Sequence, residues 1–192
     1  MSADVLLAIA VGIGLSAACG FRVFVPLLLL NLASRVGYMQ LAPGFEWLGG
    51  EVATVLFVTA TVLEVLAYSI PGLDHLLDLI ASPAAVLAGA LVSLSVIVDL
   101  PPLIKVALAL IAGGGIAALV QGATTSLRAT SLLATGGLGN VLVAILELVG
   151  ASVTAALAIL IPVFVIAALG LCGAFLVLRR VVRRRSEHHT AA

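Results

Sequence analysis

Charge is what this sequence has least of. Of its 192 residues only 9% are Asp, Glu, Lys or Arg, while 63% are hydrophobic and the mean hydropathy is +1.33. A water-soluble domain carries about 25% charged and about 45–50% apolar residues. So few charges cannot cover a folded surface in water, which excludes a soluble globular domain. No connecting segment looks longer than roughly 15 residues, so there is no room for a separate soluble domain. The expected fold is all-α: an integral membrane bundle of about six transmembrane helices. Residues 1–184 form its single transmembrane domain, and 185–192 a polar cytoplasmic tail that includes His188 and His189.

Cysteine is also scarce. Cys19 and Cys172 both lie inside apolar runs, which suits small packing residues better than a disulfide or metal pair. The segment Leu15-Ser16-Ala17-Ala18-Cys19 faintly resembles a lipoprotein cleavage site. It lacks a charged leader, however, Asp4 stands near the start, and apolar sequence continues past the cysteine, so no cleavage is expected. The chain has no phosphate loop, nucleophile elbow, zinc-protease helix or haem spacing, so no cofactor, no metal centre and no catalysis are expected. Of nine basic residues, five (Arg179, Arg180, Arg183, Arg184 and Arg185) follow the last apolar run. They predict a cytoplasmic C-terminus, and six spans then place the N-terminus on the same side. No basic face exists elsewhere, so nucleic acid is not a partner and the lipid bilayer is.

What is present is a series of apolar stretches with few interruptions. The first, residues 5–38, would make a helix of about 50 Å against a hydrocarbon core of about 30 Å. A break is expected where Gly20 and Pro26 flank Arg22. Residues 41–51, with Pro43, Gly44 and Trp47, read as an interfacial loop. A second helix spans 52–70, followed by a short amphipathic piece at 73–80 and a third helix over 83–98. The fourth stretch, 103–131, is over-long and interrupted by Gly113-Gly114-Gly115; the fifth covers 140–160 and the sixth 163–180. Ala81, Ala85, Gly89 and Ser93 form a small-residue stripe that suits close packing inside the chain or, alternatively, a homo-oligomer contact.

A faint internal repeat runs through this pattern. Each half has a long glycine-interrupted stretch, a helix with one Glu and a plain apolar helix. Arg22 corresponds to Arg128 and Glu64 to Glu147. Three helices per half would set the halves in opposite orientations, a 3+3 inverted repeat with broken first and fourth helices, as in many transporter folds.

Ionisable groups inside a membrane cost about 2.5–3.5 kcal/mol at the centre, so they face protein or water. Arg22, Glu64, Arg128 and Glu147 are in that position. On the second helix Thr54, Thr61, Glu64 and Tyr68 fall within an arc of about 80°. On the fifth, Asn140, Glu147 and Thr154 share a face; on the fourth, Gly114, Gln121, Thr125 and Arg128 do. Such faces turn toward one another, which predicts a polar centre holding both Glu residues and at least one Arg. Its substrate- or ion-binding candidates are Arg22, Thr61, Glu64, Tyr68, Gln121, Arg128, Asn140 and Glu147. Asp74-His75-Leu76-Leu77-Asp78 reads as a helix start at the interface or a gating element, and is a weak metal candidate. Asn31 reads as an interhelical hydrogen-bonding group.

The run Gly20-Phe21-Arg22-Val23-Phe24-Val25-Pro26-Leu27, then Glu64 with Ile70-Pro71-Gly72-Leu73-Asp74-His75-Leu76-Leu77-Asp78, then 140–147, resembles the signatures of an uncharacterised bacterial membrane-protein family, domain of unknown function 4126. Leu148 and Tyr68 stand where that family often has charged residues. The resemblance implies a small polytopic protein of the bacterial inner membrane and no known activity. Together these readings lead to a small transporter or channel for an ion or small polar solute. The alternative is a membrane-embedded scaffold whose charges lock packing, and a third class is an interfacial lipid-modifying enzyme using Asp74, His75 and Asp78.

Overall fold

The computed structural model describes residues 3–68, 74–137, 139–162 and 171, with the backbone alone for 74–76. Helix α1 (Ala3–Cys19) is followed after a short break by α2 (Phe24–Arg35). A loop with a 3-10 turn at Glu46–Gly49 leads to α3 (Glu51–Tyr68), and α4 runs over Asp74–Val96. Next come α5 (Pro102–Leu108), a π-helical turn (Ala109–Gly114), α6 (Gly115–Thr135) and α7 (Asn140–Leu160). No strand occurs among the described residues. The expected sixth span, and the Arg179 to Arg185 cluster after it, lie outside them.

Four of these segments are long and apolar enough to cross a membrane: Glu51–Tyr68, Leu77–Val96, Pro102–Thr135 and Asn140–Leu160. Ala3–Cys19 and Phe24–Arg35 are shorter apolar helices. Val52, Leu79, Leu103, Ile111, Leu119 and Leu133 are all largely exposed, an exterior that suits lipid and not water. The protein is a membrane helix bundle.

The first helix breaks where its residues require it. Pro26 has no N–H to give the carbonyl of Arg22 and sits in the first turn of α2, where proline is tolerated. Gly20 lies against α6 so closely that an added Cβ would stand 2.5 Å from Val120 Cβ and 2.6 Å from the Ala117 carbonyl oxygen. The break is therefore also the place where α1 and α6 touch most closely. In the fourth stretch the glycine run does not open the chain. It completes a π-helical turn inside a continuous run of 34 residues. α6 stops at Gly136, whose φ of 63° lies in the left-handed region and whose N–H returns to the Leu132 carbonyl.

The third helix differs from the sequence reading. Pro83 does not start it. Residues 73–80 are not a separate interfacial piece either, because one helix runs through from Asp74 to Val96 with Pro83 inside. The ring removes a single backbone hydrogen bond, the one to the Leu79 carbonyl, and the helix tolerates that loss. Asp78 is thereby carried inward.

α1 packs against α4 and α7, and α4 lies against the π-helical turn and α6. Leu15, Cys19, Leu30, Val92, Ala117 and Ala155 are among the buried core residues, Cys19 as a free thiol. The small-residue stripe on α4 is used inside the chain. At Gly89 an added Cβ would meet Ala117 Cβ at 2.6 Å and the Gly113 carbonyl at 2.9 Å. Ser16 of α1 donates to the Gly89 carbonyl at 2.6 Å and lies 2.9 Å from the Ser93 hydroxyl.

Candidate functional site

The break after α1 directs Arg22 into the middle of the bundle, where it is 1% exposed. Its Nη2 donates to the Ala144 carbonyl at 3.1 Å and stands 3.4 Å from Glu147 Oε2. Glu147, two turns into α7 and 3% exposed, is shared between both interior arginines. Arg128 of α6 gives it the shorter contact, Nε to Oε1 at 2.8 Å. Through Nη1, Arg128 also donates to Asp78 Oδ1, and the Tyr68 hydroxyl donates to that same oxygen at 3.1 Å. The Tyr68 ring contacts both cations, its centroid 4.1 Å from the Arg22 guanidinium carbon and 4.3 Å from that of Arg128. Cations over a ring face are attracted by its quadrupole.

Glu64 takes a different position. Val23 donates its N–H to Oε1 at 2.9 Å and Phe24 to Oε2 at 3.3 Å. The carboxylate therefore closes the broken end of the first helix, where free N–H groups and the positive end of α2 favour an anion. It holds the residues directly after Arg22 and so fixes where that side chain begins. The centre thus combines two cations, two carboxylates in direct contact with them and a third on the helix end. The direct pairs balance two charges with two, and the helix end with its two N–H groups stabilises the third carboxylate.

The structure brings Glu147 together with both arginines and sets Glu64 at the helix end beside Arg22. Glu64 is held by backbone donors, and Asp78, read from the sequence as gating or interfacial, is 7% exposed and pairs with Arg128. Asp74 and His75 form the first turn of α4, and their side chains lie outside the described residues. Tyr68 belongs to the centre as expected. Asn140 is buried at the start of α7, two turns before Glu147. Gln121 is 4% exposed on α6. The neighbouring Thr124 hydroxyl reaches the Gly20 carbonyl at 3.5 Å, which sets this turn of α6 against the break.

Not every polar atom here has a partner. Among the described residues, Arg22 Nε and Nη1, Gln121 Nε2, and the hydroxyls of Thr61 and Thr125 are buried without a hydrogen bond, as is Glu147 Oε2. Unsatisfied buried groups cost about 1–3 kcal/mol each and call for an explanation. Two open cavities, of 440 Å³ beside Ser34 and Glu46 and of 590 Å³ beside Val55 and Leu63, have no member of the charged centre in their walls. The centre is compact and enclosed. Among the described residues no group of three His, Cys, Asp or Glu side chains is arranged to hold a metal ion.

A second polar network joins α2 to α3. Asn31 Nδ2 donates to the carbonyls of Leu48 and Gly50, and the Thr54 hydroxyl donates to Asn31 Oδ1 at 2.8 Å. Arg35 donates to Thr54 Oγ1 at 2.8 Å and pairs with Glu51 at 3.3 Å. Asn31 was expected to bond between helices. That it closes the 3-10 turn after α2 has no signal in the sequence beyond a lone amide in an apolar helix.

No curated protein and no solved structure matches the chain. A family model does, and it takes in the break, the Glu64 helix and both interior arginines. Because that model matches residues 9–183, nearly the whole chain, the protein belongs to the family described as Domain of unknown function (DUF4126).

Proposed function

We propose that this protein is a small transporter or channel for an ion or small polar solute, and that the charged centre is its site. The observation that supports this reading is the set of buried donors without acceptors, Arg22 Nε and Nη1 with Gln121 Nε2. A cluster serving packing alone has every reason to complete its hydrogen bonds, because a half-satisfied network is less stable than an apolar core. Arg22 and Gln121 bind the solute, Glu147 and Asp78 balance the charge, and Glu64 fixes the broken helix. Discontinuous helices at the midplane are the usual place for such sites in transporters. The protein works by binding and passage, without catalysis. Its place is the bacterial inner membrane with the C-terminus cytoplasmic, which reporter fusions at both ends test.

The alternative, a membrane-embedded scaffold, draws support from the completeness of one part of the centre: Arg128, Asp78 and Tyr68 engage one another fully enough to lock three helices. Purified protein in liposomes separates the two. Under the transport reading, Glu147→Gln and Glu64→Gln fold and change flux or its pH dependence. Under the scaffold reading, no flux occurs and the same changes only lower stability, by about 3–5 kcal/mol where a buried charge loses its partner.

A further inference from the structure

Three features of the centre ask for one ligand. First, the unpaired groups of Arg22 and Gln121 are all donors. A cation would be repelled by them, and a ligand that accepts several hydrogen bonds would satisfy them. Both residues are more than nine-tenths buried, at 1% and 4% exposure, so bulk water does not serve as their partner. The segments that carry them are packed together: Gly20, two residues before Arg22, is in contact with Val120 and Thr124 on the turn of α6 that carries Gln121. Second, the tie that holds Arg22 to its carboxylate is the weaker of two. Glu147 accepts a hydrogen bond from Arg128 at 2.8 Å, whereas its other oxygen stands 3.4 Å from Arg22 and accepts none. Third, the direct pairs balance two positive with two negative charges. A lone anion would upset that balance in a low-dielectric interior, and an anion with a proton would not.

We infer that Arg22 and Gln121 form a binding subsite for a small monovalent anion, and that the anion binds together with one proton taken up by Glu147. The inference rests on the transport reading and adds its substrate class. In the resting centre Glu147 is a carboxylate shared by both arginines. A proton arriving on Oε2 forms an O–H bond there and removes the charge that faces Arg22. Oε1 remains the acceptor for Arg128. Arg22, now a cation without its direct counter-charge, takes the anion on Nε and Nη1, with Gln121 Nε2 as a further donor. Loss of the proton restores the carboxylate, which competes for Arg22 and expels the anion. One negative charge and one proton move together, so the step is electrically neutral. The other charged or titratable groups facing this space are Glu64 and Tyr68 from α3, Asp78 from α4 and Arg128 from α6. Glu64 is held by two N–H groups, and Asp78 accepts from both Arg128 and Tyr68. Glu147 Oε2 is, among the described residues, a buried carboxylate oxygen that lacks a hydrogen bond.

The test is equilibrium binding and thermal stability of the full chain in detergent, with sodium nitrate, formate or chloride against sodium gluconate at equal ionic strength. At least one of the three small anions is expected to raise the melting temperature saturably. Its affinity is expected to weaken by about tenfold per pH unit once Glu147 is ionised, as one linked proton requires. Gln121→Leu, which removes an orphan donor without removing a charge, should fold at least as well and bind about tenfold more weakly. Glu147→Gln should bind the anion with its pH dependence gone. Absence of saturable binding by all three anions, or full affinity in Gln121→Leu, overturns the site. A pH dependence unchanged in Glu147→Gln overturns the coupling. Liposome flux separates the levels: anion binding without any flux removes the transport reading and leaves the subsite, while cation flux without anion binding does the reverse.

Discussion

The two ends of α3 hold polar networks of opposite character. Near its start, Asn31, Arg35, Glu51 and Thr54 form a chain of hydrogen bonds, with Glu51 88% exposed at its end. Near its finish, about 25 Å along the helix at 1.5 Å per residue, Arg22, Tyr68, Asp78, Arg128 and Glu147 are sealed from solvent. The first network leaves none of its side chains among the buried unpartnered atoms of the described residues, while the second leaves several. Burial makes a pair rigid and its disruption costly, whereas exposure makes it replaceable. An incomplete network in the costlier place is what distinguishes a site from a fastening.

The largest break in this comparison should come from Arg128→Gln. It leaves Asp78 and Glu147 with one cation between them, and stability is expected to fall by about 3–5 kcal/mol in a denaturant or thermal unfolding series in micelles. A loss below about 1 kcal/mol would mean that solvent reaches the centre and that the contrast drawn above is wrong.

Asn31→Leu sharpens the comparison from the other end. The Leu48 carbonyl loses its amide donor and Thr54 loses an acceptor, so a loss of about 1–3 kcal/mol is expected. Because this network lies away from Arg22 and Gln121, the transport reading expects flux per folded molecule to be unchanged.

The smallest effect belongs to Glu51→Gln. Its partner Arg35 is 36% exposed and retains Thr54, so a change under about 1 kcal/mol is expected, shrinking further in high salt. A cost equal to that of Arg128→Gln would erase the distinction between the two networks.

Much of this arrangement is legible in the residues. An arginine beside glycine and before proline in a stretch too long to span once marks the break at Arg22. The spacing of Glu64 and Tyr68, of Gln121 and Arg128, and of Asn140 and Glu147 marks the faces that meet. What the sequence conceals has physical reasons. Asp78 follows Pro71-Gly72 and precedes Pro83, and both signals read as helix ends; a helix that tolerates one missing hydrogen bond carries it inward instead. Glu64 finds backbone N–H groups, which have no sequence signature, and so a carboxylate expected to pair with arginine serves as a helix cap. The glycine run at 113–115 reads as a break, yet Gly113 lies under Ser93 and Gly89, and close packing there holds the chain helical.

The ring in contact with both guanidiniums has a consequence for observation. Tyr68 is one of two tyrosines in the chain, and the other, Tyr38, is 57% exposed. Replacing Tyr38 by Phe leaves a single phenol in contact with two cations, whose distance from it the local field registers. With Trp47 replaced by Phe as well, its near-ultraviolet absorption becomes a label-free optical gauge of the charged centre.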